Sequence, residues 1–240
     1  MSPDHASRPE QGPAVSRHAL KALEDLWAEV LRLAATVLGA LTTSVQALRE
    51  GRADLADEVK IEEKAIDGWE VRIEQECVRV LALFGPTASD LRRVVAALRI
   101  TAELELMADL AENIADRARK RAANLVAPPF PPGLVALAAA ALDQVRDSID
   151  ALTRDDVALA QKVIANDRAV GQARRAVQRE LKQALQQDPD RVSVWLRLIN
   201  TARNLERVAD HAAHIAEAVV YLKEGDIIRH GGPPPPDANQ

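Results

Sequence analysis

The apolar residues in the last part of the chain recur at alternating spacings of four and three positions. They are Leu198, Ala202, Leu205, Ala209, Ala212, Ala216 and Val219. This spacing places one apolar stripe along an α-helix and is typical of a helix packed against two neighbours. An earlier segment repeats apolar residues every seven positions, at Val59, Ile66, Ile73 and Val80. The alternation with a period of two that marks half-buried strands is absent, so the pattern predicts an all-α protein.

The prolines indicate where these helices end, because proline is costly inside a helix. The segments between the prolines are rich in Ala, Leu, Glu, Arg and Gln, which are strong helix formers. A single helix from Ala14 to Gly85 would be about 108 Å long. We therefore predict a turn at Gly51, with Asp54 as a cap. The six predicted helices span residues 15–50, 54–84, 87–123, 134–152, 155–187 and 189–223.

Short motifs at three of these boundaries predict how the helices begin. Thr87–Asp90 and Thr153–Asp156 both have the Thr-x-x-Asp pattern, which resembles a capping box. Asp188 stands directly before Pro189, which predicts an N-cap followed by proline at the first helical position.

The two halves of the chain repeat each other. The segment Leu104–Asp109 matches Leu205–Asp210, and Asn113–Asp116 matches His214–Glu217, both at an offset of 101 residues. A match of this length without gaps indicates an internal duplication. The sequence therefore predicts two tandem three-helix bundles, antiparallel because their connections are short. The predicted organisation is a disordered tail at 1–14, a bundle at 15–124, a Pro-rich linker at 125–133, a bundle at 134–230 and a second tail at 231–240.

Composition narrows the class of protein. The chain has 240 residues, of which 48% are hydrophobic and only 2% aromatic, and a formal net charge of -5. This balance is typical of a globular protein and gives no reason to expect binding to nucleic acid. The single Cys77 fits a reducing compartment. No secretory signal is visible, and the longest apolar run, Leu134–Leu142, is too short to span a bilayer. We expect a cytoplasmic protein whose membrane association is only peripheral, through partners.

Acidic residues follow the third helix of each half. Glu206, Asp210, His214 and Glu217 share one face of the last helix, one position round from its apolar stripe, and Glu105, Asp109, Asn113 and Asp116 are their counterparts in the first half. Carboxylates spaced by four residues on a helix repel each other. A multivalent cation relieves this repulsion, and magnesium, manganese and iron all accept clustered carboxylate oxygens.

The second helix of each half adds to this pattern unequally. Glu63, Asp67, Glu70 and Glu74 follow helix two at spacings of four, three and four. The equivalents in helix five are Asp167, Gly171, Arg174 and Gln178, a poorer set of oxygen ligands in which Arg174 could neutralise Asp167. The alternative is a solvated acidic face without metal. His211 and His214 could also bind metal, although a lone pair of histidines more often caps or packs.

Two classes of enzyme are disfavoured. Ferritin-like di-iron sites use Glu-x-x-His pairs, and none of the five histidines has Glu three positions earlier. No Ser-His-Asp constellation is evident either. The chain is therefore not expected to be an enzyme, and a helical adaptor without metal remains an alternative.

These features together resemble the PhoU family. The resemblance runs over residues 15–230 and rests on the two Leu-Glu-x-x-x-Asp stretches, on Pro86–Arg92, on the acidic second helix and on the ending at 216–222 with Gly225, Asp226, Arg229 and His230. It implies one metal surface formed by Glu63, Asp67, Glu105 and Asp109, and another formed by Asp167, Glu206 and Asp210. The implied ion is iron, manganese, magnesium or zinc. The chain departs from the family pattern at Leu106, often Arg there, at His214, often Asn there, and at Gly171.

The resemblance also implies a function. PhoU proteins are negative regulators of phosphate uptake and of the phosphate-starvation response. They are thought to act by contact with the ATP-binding subunit of the phosphate transporter and with a membrane sensor histidine kinase, and a homodimer is implied. No phosphate-binding loop is required for such a role, and the sequence contains none.

Overall fold

The computed structural model describes residues 17–124 and 128–225, which form six long α-helices and one short 3₁₀ turn. The first half contains α1, α2 and α3, and the second half contains α4, α5 and α6. Their bounds are Arg17–Glu50, Ala53–Phe84, Ala88–Ala122, Pro132–Arg154, Val157–Gln187 and Val192–Glu224, with the 3₁₀ turn at Pro189–Arg191. The described residues contain no strand, which confirms the predicted all-α class.

The turns lie where the sequence predicted them, but the capping residues differ. Gly51 adopts a φ of 68° between α1 and α2, as a left-handed turn residue should. The N-cap of α2 is Arg52 rather than Asp54, which lies in the first turn of the helix and forms an ion pair with Arg52. The capping box expected at Thr153 is also wrong, because Thr153 lies inside α4.

Asp156 caps α5 instead, since its carboxylate accepts a hydrogen bond from the backbone N–H of Leu159 at 3.0 Å. Thr87 is the N-cap of α3, but its side chain makes no capping hydrogen bond. Asp188 likewise makes none, and a 3₁₀ turn separates it from α6. The predicted capping hydrogen bonds of Thr87 and Asp188 are therefore absent. The predicted helix boundaries nevertheless agree with the observed ones to within three residues.

The Pro-rich connection is partly held by side chains of the first half. α4 begins at Pro132, two residues earlier than predicted, with proline at the first helical position. Arg121 donates a hydrogen bond to the Pro128 carbonyl at 2.9 Å and places its guanidinium 5.6 Å from the ring centre of Phe130. The predicted tails at 1–14 and 231–240, linker residues 125–127 and the terminal residues Asp226, Arg229 and His230 lie outside the described residues.

The predicted apolar stripes form the core. All seven stripe residues of α6 are buried, and so are Val59, Ile66, Ile73 and Val80 of α2. Each half packs as a three-helix bundle, and the two bundles join where α3 contacts α6 and α1 contacts α4. The contact between α3 and α6 is about as extensive as that between α1 and α2, so one hydrophobic core runs through both halves.

By length and composition alone, α1 is apolar enough to cross a membrane. Its apolarity has a structural explanation, because Val30, Leu33, Val37 and Leu41 are all fully buried in the core. A helix that packs one face into a bundle core is expected to carry an apolar stripe of this kind.

Candidate metal-binding faces and a Glu-His cluster

α2 and α3 bring the four acidic residues predicted for the first half onto one surface. Glu63 and Asp67 come from α2, and Glu105 and Asp109 come from α3. We call these four residues the first acidic face. Glu63 and Glu105 are half-buried, whereas Asp67 and Asp109 are exposed at its edge. Because the buried residues of both helices occupy adjacent positions, the carboxylates lie at the rim of the hydrophobic core.

These carboxylates lie close enough to raise one another's pKa. Burial raises the pKa of Glu105 to about 7, with further contributions from the charges of Asp109, Glu70, Asp67 and Glu63. Burial also raises the pKa of Glu63, helped by Asp67. The first acidic face therefore carries several negative charges that nearby basic side chains do not fully neutralise. A bound cation would lower the energy of such a surface.

Few basic groups reach this surface. Lys60 forms an ion pair with Glu112 at 3.4 Å, beside the face rather than within it. Burial and neighbouring carboxylates raise the pKa of Asp109, and Arg207 of α6 opposes this shift only in part. The oxygen donors are of the kind that hard or borderline cations accept. No three of them place ligand atoms within 4.8 Å of one another, so Glu63, Asp67, Glu105 and Asp109 would have to draw closer together to hold an ion.

Ionisation of Glu105 should destabilise the metal-free protein. The pKa of Glu105 is higher in the folded state than in the unfolded chain, so its ionisation costs stability as the pH rises from about 4.5 to about 7. Glu105→Gln should therefore raise the free energy of unfolding by about 1 kcal/mol at pH 8, an amount reduced by solvent screening. Urea unfolding with a chelator at pH 8 and pH 4 measures this change.

The matched control is Glu24→Gln, which removes a carboxylate from an exposed position of α1. It should change the unfolding free energy by less than about 0.5 kcal/mol at both pH values. A destabilising effect of Glu105→Gln at pH 8 would contradict the repulsion described above.

The second half assembles a different surface from Asp167 of α5 with Glu206 and Asp210 of α6, which we call the second acidic face. Burial raises the pKa of Asp210 to about 6, with contributions from the charges of Asp167 and Glu206 and from a hydrogen bond with Asp167. The three predicted residues therefore lie together. The raised pKa belongs to Asp210, which carries the repulsion of both neighbouring carboxylates.

Arg174 further weakens the case for metal at the second face. Its Nε lies 2.9 Å from Glu206 Oε2, and both side chains are mostly buried. The prediction that Arg174 neutralises Asp167 is therefore wrong, because Arg174 forms its ion pair with Glu206. Gly171 adds no carboxylate, and a Cβ at that position would lie 3.4 Å from Glu206 Oε1, so Glu206 sits close against α5. Of the two faces, the first fits a cation better.

Sequence reasoning identified only two of the three residues of a third cluster, the histidines His211 and His214. Glu103 of α3 lies between His211 and His214 of α6, with its Oε2 atom 2.7 Å from His211 Nδ1 and 3.1 Å from His214 Nδ1. Among residues 17–124 and 128–225, these three form the one group of His, Cys, Asp or Glu side chains whose ligand atoms all lie within 4.8 Å of one another. The histidines were visible in the sequence, but Glu103 lies 108 residues away and outside the acidic stripe.

The fold and these faces define a duplicated all-α bundle protein with carboxylate-rich surfaces. The family model described as "PhoU domain" matches residues 30–118 and again 134–219, one match in each half. The chain belongs to the PhoU family, as the resemblance implied.

Named relatives and solved structures agree with this membership. The chain is 37% identical over 212 residues to the phosphate-specific transport system accessory protein PhoU homolog of Aquifex aeolicus, covering 88% of this chain and 95% of that relative. It is 30% identical to PhoU of Escherichia coli over 88% of this chain and 87% of the other. The crystal structure of PhoU from Pseudomonas aeruginosa matches with a TM-score of 0.83 at 32% identity, covering 86% of this chain and 99% of that one.

Proposed function

We propose that this protein is an accessory regulator of phosphate-specific transport that represses phosphate uptake and the phosphate-starvation response when phosphate is plentiful. The observation that carries the proposal is the family match to both halves of the chain, together with the names of relatives that align over most of its length. The duplicated architecture supports the same role, since both bundles needed by a PhoU protein are present.

The proposed mode of action is protein contact, with the ATP-binding subunit of the phosphate transporter and a sensor histidine kinase as partners. Long exposed helices supply surfaces large enough for such contacts. α2 in particular carries large apolar side chains that are solvent-exposed, namely Ile61, Val71, Val78 and Leu83. Of these, Val71 and Val78 are seven positions apart and therefore share one side of α2, which gives this surface an apolar part. The same surfaces serve a homodimer, and the proposed location is the cytoplasm, where the ATP-binding subunit lies.

The proposal includes metal on the acidic faces and no catalytic step. Iron, manganese, magnesium or zinc bound by Glu63, Asp67, Glu105 and Asp109 would neutralise their mutual repulsion. Asp167, Glu206 and Asp210 would hold an ion more weakly because Arg174 already pairs with Glu206. Neutralisation changes the charge of a helix face without moving the helices, which alters how well that face docks on a partner.

A second candidate is a helical adaptor that binds partners without metal. The ion pairs Arg174–Glu206 and Lys60–Glu112 favour it, because they show that protein cations already compensate part of the acidic charge. Elemental analysis of the purified chain after equilibrium dialysis separates the two candidates. Stoichiometric metal that is lost in the variant Glu105→Gln with Asp109→Asn supports regulation through metal, and a metal-free wild type supports the adaptor.

Complementation tests the regulatory role itself. In an Escherichia coli strain that lacks its own PhoU, expression of this chain should restore low activity of a phosphate-starvation reporter in phosphate-rich medium. Affinity capture from phosphate-replete cells of the source bacterium should recover the transporter ATPase, the histidine kinase or both. Recovery of neither partner, together with an unchanged reporter, would contradict the proposal.

A further inference from the structure

The strongest unassigned feature of the molecule is the cluster of Glu103, His211 and His214 at the contact between the two halves. Glu103 projects from α3 of the first half, whereas both histidines project from α6 of the second half. None of the three belongs to the acidic faces described above. The two histidines are three positions apart, so they lie on one side of α6 and face the same carboxylate.

The chemistry of the donors is specific. Two imidazole nitrogens and one carboxylate oxygen form a set that zinc uses in sites where a water completes four-coordination. Purely carboxylate surfaces instead favour harder ions such as magnesium. The cluster would therefore select a borderline divalent cation that the acidic faces do not prefer.

The geometry is close to that of a bound ion. Both Nδ1 atoms already point at Glu103 Oε2, at 2.7 and 3.1 Å. Ligand atoms about 2.0–2.1 Å from a tetrahedral zinc ion lie about 3.3 Å from one another. Each His–Glu separation would have to lengthen by less than about 1 Å for coordination, with the ion taking the place of the two shared protons. The imidazole rings, with centroids 6.0 Å apart and planes at 78°, meet edge-on and do not stack.

One side of the cluster is buried and the other side is open to solvent. The His211 side chain is only 12% exposed, while that of His214 is 50% exposed. The buried side holds the ligands in place, and the exposed side provides a path for the ion and for a water ligand. The electrostatics act in both directions. Burial alone would raise the pKa of Glu103, but hydrogen bonds from the two histidines outweigh it and lower that pKa to about 2. The same contact raises the pKa of His214, so a bound ion has to displace the proton of that imidazole.

We propose that Glu103, His211 and His214 form a zinc-type metal site that joins the two halves of the protein. Because the ligands come from α3 and α6, an ion bound there stabilises the packing of one bundle against the other. A ligand that binds only the folded state raises stability in proportion to the logarithm of its concentration. The inference does not depend on metal at the acidic faces or on the proposed regulatory function.

Titration of the untagged full-length chain with zinc chloride at pH 7.5, after removal of metal by a chelator, tests the site. Calorimetry should detect one tightly bound zinc ion per chain, distinct from weaker binding at the acidic faces, and Glu103→Gln or His214→Gln should weaken the tight binding at least 10-fold. His214→Gln is the more informative variant, because its side chain is half-exposed and the fold should tolerate the change. The matched control His18→Gln, at an exposed position of α1, should bind zinc as the wild type does.

A second control separates this site from the first acidic face. The variant Glu105→Gln with Asp109→Asn should retain the zinc ion, since it alters no ligand of the cluster. Cobalt(II) provides an independent readout, because His214→Gln should change the visible absorption of the bound ion. Zinc affinity equal in the wild type, Glu103→Gln and His214→Gln, or no zinc binding by the wild type, would overturn the proposal and leave the cluster as a hydrogen-bonded bridge between α3 and α6.

Discussion

Leu104→Ala should lower the free energy of unfolding by about 2–5 kcal/mol, the largest stability change that we expect from a single substitution in this protein. Leu104 is fully buried on α3, the helix that contacts α1, α2 and α6. Truncation removes apolar contacts and leaves a cavity that the surrounding long helices cannot easily close. Chemical denaturation followed by circular dichroism measures the loss.

The chain supplies a matched control two positions away. Leu106 lies on the same helix but is exposed, so Leu106→Ala should cost less than about 1 kcal/mol. Leu205, the repeat counterpart of Leu104, is buried in α6, and Leu205→Ala should destabilise the protein about as much as Leu104→Ala. Equal losses at Leu104 and Leu106 would contradict the burial on which this prediction depends.

The second large effect concerns manganese at the first acidic face. The variant Glu63→Gln with Asp109→Asn should lower the affinity for manganese by at least about 100-fold, since it removes one proposed ligand from each of α2 and α3. The physical reason is that burial and neighbouring charges raise the pKa of both carboxyl groups, so a nearby cation would relieve an unfavourable charge on each helix. Calorimetric titration of the metal-free chain with manganese measures the change.

Two comparisons make this result specific. Asp167→Asn, on the second acidic face, should leave the tighter manganese site intact because Arg174 already compensates Glu206 there. Glu24→Gln with Asp25→Asn removes two exposed carboxylates of α1 and should have no effect on manganese binding. If the wild type binds no manganese, or if all variants bind it equally, the metal part of the proposed function fails while the family membership stands.

The helices were predictable because their signals are local. Apolar residues spaced by three and four positions stack on one side of any α-helix, and the stripe residues of α6 are all buried as that spacing predicts. The duplication was equally visible, and the family model matches each half once. Capping was less predictable, because several polar residues near each turn compete: Asp156 rather than Thr153 caps α5, and Arg52 rather than Asp54 stands at the N-cap of α2.

The sequence by itself thus determined six helices, the apolar stripes and the carboxylates that share a helix face, since each follows from spacing along one helix. Only the tertiary structure decided which side chains of different helices meet. The packing of α5 on α6 pairs Arg174 with Glu206 instead of Asp167, and the packing of α3 on α6 brings Glu103 to His211 and His214. These contacts between helices depend on the crossing angle and on which turns of the two helices touch. The periodicity of a single helix determines neither the angle nor the point of contact.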